Sequence, residues 1–561
     1  MSFLDSFRNP PPEYRLKPIW LWNTAPEEAE VERQVREMHA KGVGGFFFSL
    51  PGEMASDPQW LGCVKHACET AVEIGLHAAT AGEIPTAAAG SGVQDFSLFL
   101  DTPERDRLLR AKLLSSLAHA RGEDRVPFEA FGDTDWGLSL YEMKRAVDRL
   151  ACLGINSIIP NAFHYSVAGR DERPVSQFFQ ATYWPHYGLI ADYAARLSYA
   201  LSQGKHRAQI ALLWPRAEAL RTSEVSKFTR AYLDILVTRL PAEHLDYDIL
   251  DEESVGQATA VDQRLHVARE EYELLILPPA GAIGCQAAAK IKEFVEDGGK
   301  VFLFSSQRPR DLVPVLRTLI SRAIKPEVSA RLGGAECRDI GCVHRVLDDG
   351  ELFFFANHTA KPREVRISMR CSRAPYRLDL ETGDAVALPN CTQRGDRTLL
   401  LHRFEPHASL LVYFGDEPAL VVGRPGRADE GEEVALPREW EFSTDEPASP
   451  SRTITDGSWA EQGFPRFSGA GTYARTVELP RIDPGRRVFL RAVDPADMVE
   501  FVVNGSWAGV RAWPPFEVEV TPLLKPGPNR IEIRVTNSLA NALCSDPRPS
   551  GLLGGARLVV Y

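Results

Sequence analysis

Residues 1–204 alternate continuous apolar runs with charged amphipathic stretches, and this alternation restricts the fold more than any other feature of the chain. PIWLWN (Pro18–Asn23), GVGGFFFSL (Gly42–Leu50), GLHAATAGE (Gly75–Glu83), RVPFEAFGD (Arg125–Asp133) and INSIIPNAFHYS (Ile155–Ser166) read as strands, with DFSLFLD as a further short apolar run. The segments between and after them read as helices: PEEAEVERQVREMHAKG, about 57–74, 102–121, a stretch opening near Ser139, and YWPHYGLIADYAARLSYALSQG. Strands without polar alternation, separated by helices, predict a parallel sheet covered on both faces. Asn23, Glu83, Glu129, Asn161 and His164 gather just after the strands, where β/α barrels carry their functional groups. Five or six strands are fewer than the eight of a full barrel of about 250 residues. The expected unit is therefore a shortened TIM-like barrel.

The remainder divides by pattern. Over 205–325, IALLWP, YELLILPPA and KVFLFSS alternate with SEVSKFTRAYLDILVTRL and CQAAAKIKEFVEDGG, which predicts a small doubly wound, flavodoxin-like α/β domain. Residues 326–425 show short alternating strands such as ELFFFANHT and REVRISMRC, a β-sandwich pattern. After the linker GRPGRADEGEE, residues 435–561 are again all-β, with turn signals such as Asn504-Gly505 between strands, as in a jelly roll. The expected class is multidomain, α/β plus all-β. Net charge is −12, so a phosphate backbone is disfavoured and no nucleic acid is expected. No apolar run approaches the roughly 18–20 residues of a membrane span. The opening MSFLDSFRNPPPEYR has no basic-then-apolar leader, so a cytoplasmic location is expected, with the nine scattered cysteines as reduced thiols.

Longer motifs add a resemblance. PIWLWN followed by EEAEVERQVREMHAKGVGGFFFSL, the stretch from LLSSLAHARGEDRVPFEAFGDTDWG through INSIIPNAFHYSVAGRDERP, and FVVNG with WPPFEVEVTPLLKPGPNRIEIRVTNSLANAL resemble the family-106 α-L-rhamnosidase type of glycoside hydrolase. The C-terminal part is similar to that family's galactose-binding-like jelly roll. The chain departs from the pattern at the third strand. Where the family reads roughly Tyr-Asp-Glu and then Trp-Pro-Ser-Gly, this chain has Ala81-Gly82-Glu83-Ile84-Pro85-Thr86, and the middle barrel strands are missing.

The resemblance implies a glycosidase acting on a terminal rhamnoside or related glycoside, by inversion. Hydrolysis needs two carboxyl groups, about 6.5–9.5 Å apart for inversion or about 5–5.5 Å for retention. Glu129, ahead of Phe131-Gly132, matches the family's Glu-x-Phe-Gly glutamate and is expected as general base; Glu83 is the first choice of proton donor. Asn161, His164 and Tyr165 are expected at the barrel mouth, where they could bind sugar hydroxyls. Trp136 and Trp184 offer faces on which a sugar could stack. Asp133 and Asp135 could bind hydroxyls or a cation, or cap the helix near Ser139. Trp20 and Trp22 alternate on one strand face and are expected in the core. Gly42-x-Gly44-Gly45 precedes a strand and is not a dinucleotide fingerprint. The acidic run Asp246, Asp248, Asp251, Glu252, Glu253 reads as a solvated strand edge. The residues single out no certain cofactor; calcium near the sugar, as family members can use, stays open. A carbohydrate partner is expected. A short barrel exposes sheet edges, which makes a homo-oligomer a further expectation. The competing reading is a catalytically degenerate barrel that binds carbohydrate or a protein without hydrolysis.

Overall fold

The computed structural model describes residues 2–52, 56–80, 82, 103–167, 175–214, 235–277, 283–303, 316–388, 390–415, 431–445, 451–480 and 485–561. The first unit runs α1 (Phe3–Arg8), β1 (Ile19–Leu21), α2 (Glu28–Ala40), β2 (Gly45–Ser49), α3 (Pro58–Glu73), β3 (His77–Thr80), α4 (Pro103–Arg121), β4 (Pro127–Ala130), α5 (Leu140–Ala151), β5 (Ser157–His164) and α6 (Gly188–Leu201). The strands form a five-stranded sheet in the order β3-β2-β1-β5-β4, and each adjacent pair is parallel. First and last strands lie side by side at its centre. Among the described residues β3 and β4 are its two edges. The run DFSLFLD lies outside the described residues.

The two faces of this sheet differ, and period-2 alternation explains the difference. Phe46, Phe48, Trp20 and Trp22 point to the helix-covered face and join one large core. Ile19, Phe47, Ile159 and Ala162 form a separate small cluster on the other face. Trp20 and Trp22 are thus core, as expected, and their rings meet edge to face with centroids 5.1 Å apart. The glycines before β2 are there for space. A Cβ on Gly44 would stand 2.1 Å from the Pro12 carbonyl oxygen, and one on Gly45 2.2 Å from that of His77.

Four parallel strands follow, in the spatial order Lys300–Leu303, Leu274–Leu277, Ile210–Leu213, Tyr247–Leu250. The next unit is antiparallel, two sheets of five and six strands enclosing Phe353, Phe355, Ile367 and Val412. The short strand Lys205–His206 pairs with Ile340–Val346 of this later unit, not with the α/β sheet that follows it in sequence. The C-terminal unit packs a four-stranded antiparallel sheet on a six-stranded one, with Trp440, Trp459 and Tyr473 at its centre. No described helix is long and apolar enough to cross a membrane, and the nine cysteines are free thiols.

The acidic run near residue 250 is not a solvated edge. Asp248 is 0% exposed, and Lys112 of α4 lies 2.9 Å from Asp246 and 3.7 Å from Asp248. The alternation of the strand turns these carboxylates inward, and an ammonium from the preceding unit makes their burial tolerable. Asp251 and Glu253 are exposed, and Asp251 caps Glu252–Gln257 through the Ser254 amide.

Candidate functional site

Glu129 ends β4. Its register partner on β5 is Ile159, which places it on the face of the sheet opposite the helix-packed core. The carboxylate is exposed and accepts a hydrogen bond of 3.2 Å from the Asn161 amide of β5. Beyond it the chain turns sharply. Phe131 is buried with φ +74°, a left-handed conformation that bulky side chains rarely hold. Gly132 follows, and a Cβ there would sit 3.4 Å from the Asn161 amide nitrogen. The Glu129-x-Phe131-Gly132 segment thus carries an acidic group, a strained turn and a close approach to its bracing amide.

This corner opens into a cavity of about 850 Å³. One wall is formed by Glu129 of β4, Asn161 of β5 and Asp133 just beyond β4. A second is α5, whose N-terminus is fixed by a capping box between Ser139 and Glu142. Residues far away in sequence complete it: Asn357, His358 and His407 of the antiparallel unit and Arg548 of the C-terminal one. Asp135 does not cap α5. Both its oxygens accept from Arg548 Nη2 at 2.8 and 2.7 Å, and it also accepts from the Gly137 amide at 2.8 Å. Burial, then Arg149 and His407, hold the His358 imidazole down at about 4. Burial, then Arg145 and Lys144, hold His407 there too. Both rings are therefore neutral near pH 7.

The expected site residues separate into two groups. Glu129, Asn161, Asp133 and Asp135 line the cavity together. Glu83 lies outside the described residues. The other four are placed elsewhere. His164 is 3% exposed, and its backbone is held by Ser176 and Gln180. Tyr165 is buried against Trp20 and Trp22, and its hydroxyl accepts from the Glu27 amide. Trp184 meets Phe163 and Phe178 edge to face and stacks on Tyr187, and it donates to Glu37 at 2.6 Å. Trp136 borders a separate void of about 10 Å³ with Val175 and Gln177. Tyr165 and Trp184 share a reason: a ring near a strand end reads alike as a sugar platform or as core, and here the core claims both. Sequence reasoning missed Arg145, Arg149, His358, His407 and Arg548. Only Arg145 and Arg149, four apart and so on one face of α5, left a local signal.

One group of described residues has metal-ligand spacing: His119, His206 and Asp248, all buried, with donor atoms within 4.8 Å of one another. It lies away from the cavity. The His119 and His206 rings stack at 4.3 Å with planes 22° apart, so their in-plane lone pairs cannot converge on one ion. Lys112 already supplies a cation. Burial opposes charge on His206, but Asp246 and Asp248 outweigh it and lift the imidazole to about 9. The cluster is a charged joint between α4 and the four-stranded parallel sheet.

No family model matches the chain. A putative β-glucuronidase of Formosa agariphila is 23% identical over 406 residues, covering 65% of this chain and 32% of that protein. The structure of a rhamnosidase from a Novosphingobium species superposes with a TM-score of 0.64 at 19% identity, covering 89% of this chain and 55% of that one. The chain thus spans about a third of the length of the curated relative and about half of the solved rhamnosidase. At this identity the likeness to the solved structure is one of fold: a mixed α/β chain with parallel sheets in its first half and antiparallel sheets behind them.

Proposed function

We propose that this chain hydrolyses a glycoside at the Glu129 corner, with an α-L-rhamnoside or a related deoxy-sugar glycoside as substrate. The observation that carries the reading is the placement of Glu129. It is an exposed carboxylate at the C-terminal end of a parallel strand, braced by Asn161, at the rim of a cavity of about 850 Å³. Parallel β/α sheets present their reactive groups at that end, and the volume suits a small glycoside. The strand order β3-β2-β1-β5-β4 supports reading the unit as a barrel opened between its third and fourth strands. The superposition on a rhamnosidase supports the same family of folds.

In the inverting form of the reaction, Glu129 takes the proton of a water that attacks the anomeric carbon, while a second carboxylic acid protonates the departing oxygen. The Asn161 amide fixes the direction of the Glu129 carboxylate and leaves its other oxygen for the water. Glu83 is the proposed acid by resemblance. Asp133, beyond the same strand and on the same cavity wall, is the alternative. The degenerate-barrel reading keeps one supporting observation, the absence of pairing between β3 and β4 among the described residues. Turnover of aryl α-L-rhamnosides by the full chain and by Glu129→Gln decides between them. The expected loss is about 10²–10⁴-fold. Wild-type turnover in Glu129→Gln refutes the assignment, and binding without turnover in both favours the degenerate barrel. The anomer released first, read by NMR, tests inversion.

A further inference from the structure

A second cavity, of about 730 Å³, lies on the antiparallel unit and shares no lining residue with the one at Glu129. Its floor is the outer face of the strands Val328–Leu332, Arg363–Met369 and Arg397–Phe404, and the helix Leu316–Ala323 flanks it. Val365, Ile367 and Leu400 turn into the core beneath, so alternation sends Arg366, Leu399 and Leu401 to the cavity side. Arg331 and Arg366 are register partners across two adjacent strands, and Leu401 is the partner of Arg366 on the third. With Arg317 and Arg397, four guanidinium groups line the cavity against one lining carboxylate, Glu364. Glu364 stands in the next row, opposite Arg403. In a chain of net charge −12 this is a local reversal of sign.

The protein answers only part of this charge. Glu336, buried beneath, accepts from Arg331 Nε at 2.9 Å and lies 2.9 Å from Arg317 Nη2. Arg397 donates to the Ser368 hydroxyl and to the carbonyl oxygens of Pro326 and Glu327, dipoles that fix its direction without cancelling its charge. Arg366 is exposed and, among the described residues, has no hydrogen-bond or ion-pair partner. Like charges directly opposite on neighbouring strands cost stability, and an oxyanion between them reverses the sign of that interaction. Beside the arginines the surface is apolar: Leu401 is 59% exposed and Leu332 45%. The rim turn Gly333-Gly334, at φ +59° and +92°, has no atom within 4 Å of where a Cβ would stand, so the approach is open. The volume suits a small molecule.

We infer that this cavity binds a small organic oxyanion, a phosphate or sulfate ester, with its tetrahedral group between Arg331 and Arg366 and its apolar part on Leu399 and Leu401. Guanidinium forks match such oxygens. The site is independent of whether the Glu129 corner hydrolyses a glycoside.

The test is calorimetric titration of the full chain with phenyl phosphate, phenyl sulfate, inorganic phosphate, inorganic sulfate and the neutral benzyl alcohol. At least one ester is expected to bind about tenfold or more tightly than benzyl alcohol and than its own bare ion, and to weaken as salt is raised. Which ester is preferred identifies the group. Arg331→Gln with Arg366→Gln should erase the preference over benzyl alcohol, while lysine at both positions should keep part of it. Because Arg331 also holds Glu336, Arg366→Gln alone is the second variant; it removes no bond among the described residues and should still weaken the ester about threefold or more. Leu401→Ser should bring the ester toward the affinity of the bare ion. Esters that bind no better than benzyl alcohol or the bare ions, a preference that survives both glutamines, or ester binding that is lost in Glu129→Gln overturns the inference.

Discussion

Lys144→Met isolates the interaction that holds the α5 wall of the Glu129 cavity in place. Lys144 is 3% exposed, and its ammonium donates to Asp148 at 2.6 Å, the His407 carbonyl at 3.1 Å and the Ser409 hydroxyl at 3.4 Å. Asp148 receives a second hydrogen bond from Tyr193 of α6 at 2.6 Å. Methionine fills similar volume but leaves a buried carboxylate on one hydrogen bond and orphans a carbonyl. Removing one partner of a buried pair costs about 3–5 kcal/mol, an unsatisfied carbonyl about 1–3 kcal/mol, and methionine's apolar contacts return part of this. The net expectation is about 4 kcal/mol, concentrated in α5. A chain of several sheets is not expected to unfold in one step, so the readout is hydrogen exchange of the α5 amides. The loss corresponds to roughly 10³-fold lower protection at 1.36 kcal/mol per decade. Burial already raises the Asp148 carboxyl, and Lys144 counters it. Without the lysine the carboxyl rises further, so the defect should shrink as pH is lowered and the acid takes a proton. Lys144→Met with Asp148→Leu should recover most of the protection. Protection within about tenfold of wild type in the single variant, or a double variant no better than the single, refutes the reasoning.

Gly44→Ala should destabilise the first unit by about 3 kcal/mol, since the new Cβ meets the Pro12 carbonyl oxygen at 2.1 Å and the Arg15 Cβ at 2.6 Å, neither of which can yield without moving backbone; hydrogen exchange of the β2 amides measures it. Raising pH from 7 to 9 should loosen the joint between α4 and the four-stranded parallel sheet. His206, flanked by Asp246, Asp248, His119 and Glu270 with Lys112 on the same carboxylates, has its folded pKa raised to about 9. Its stabilisation is full below 6.5 and lost as pH climbs through 9, on the order of 3 kcal/mol. Glu270, raised by burial to about 7, adds a loss that is complete near pH 7, and His119, held near 4, acts only below 6.5. Protection of the Tyr247–Leu250 amides should fall over that range in wild type and stay flat in His206→Gln.

The strands of the first sheet were legible because an apolar run bounded by glycine or a charged helix has few alternatives. GFFFS cannot be a surface element, and Trp20 and Trp22 declare a shared face through their spacing. Glu129 was legible for a related reason: it is an acid at the end of an apolar strand, followed by a phenylalanine and a glycine that fit a sharp turn. What escaped was anything decided by a partner distant in sequence. Asp248 reads as surface until Lys112, brought in by α4, is placed beside it. Tyr165 and Trp184 read as sugar-facing until Glu27 and Glu37 take their polar atoms. Local pattern records the alternation of faces; it does not record which face another element will cover.

The same distinction bears on how the site works. Glu129 and Asn161 are positioned within one sheet, but the cavity around them is assembled from three units. Arg548, 413 residues from Asp135, grips both its oxygens, and Lys144 on α5 donates to the carbonyl of His407. The acidic corner is therefore a property of the strand, whereas the shape and charge of what it faces are properties of the packing between units. On the proposed hydrolytic reading, reactivity would persist in such a design while the substrate changed, because substitutions in the antiparallel and C-terminal units alter the far walls without touching the carboxylate. A change of specificity in this fold should accordingly trace to the α5 face and the loops carrying His358, His407 and Arg548, and a loss of chemistry to β4 and β5.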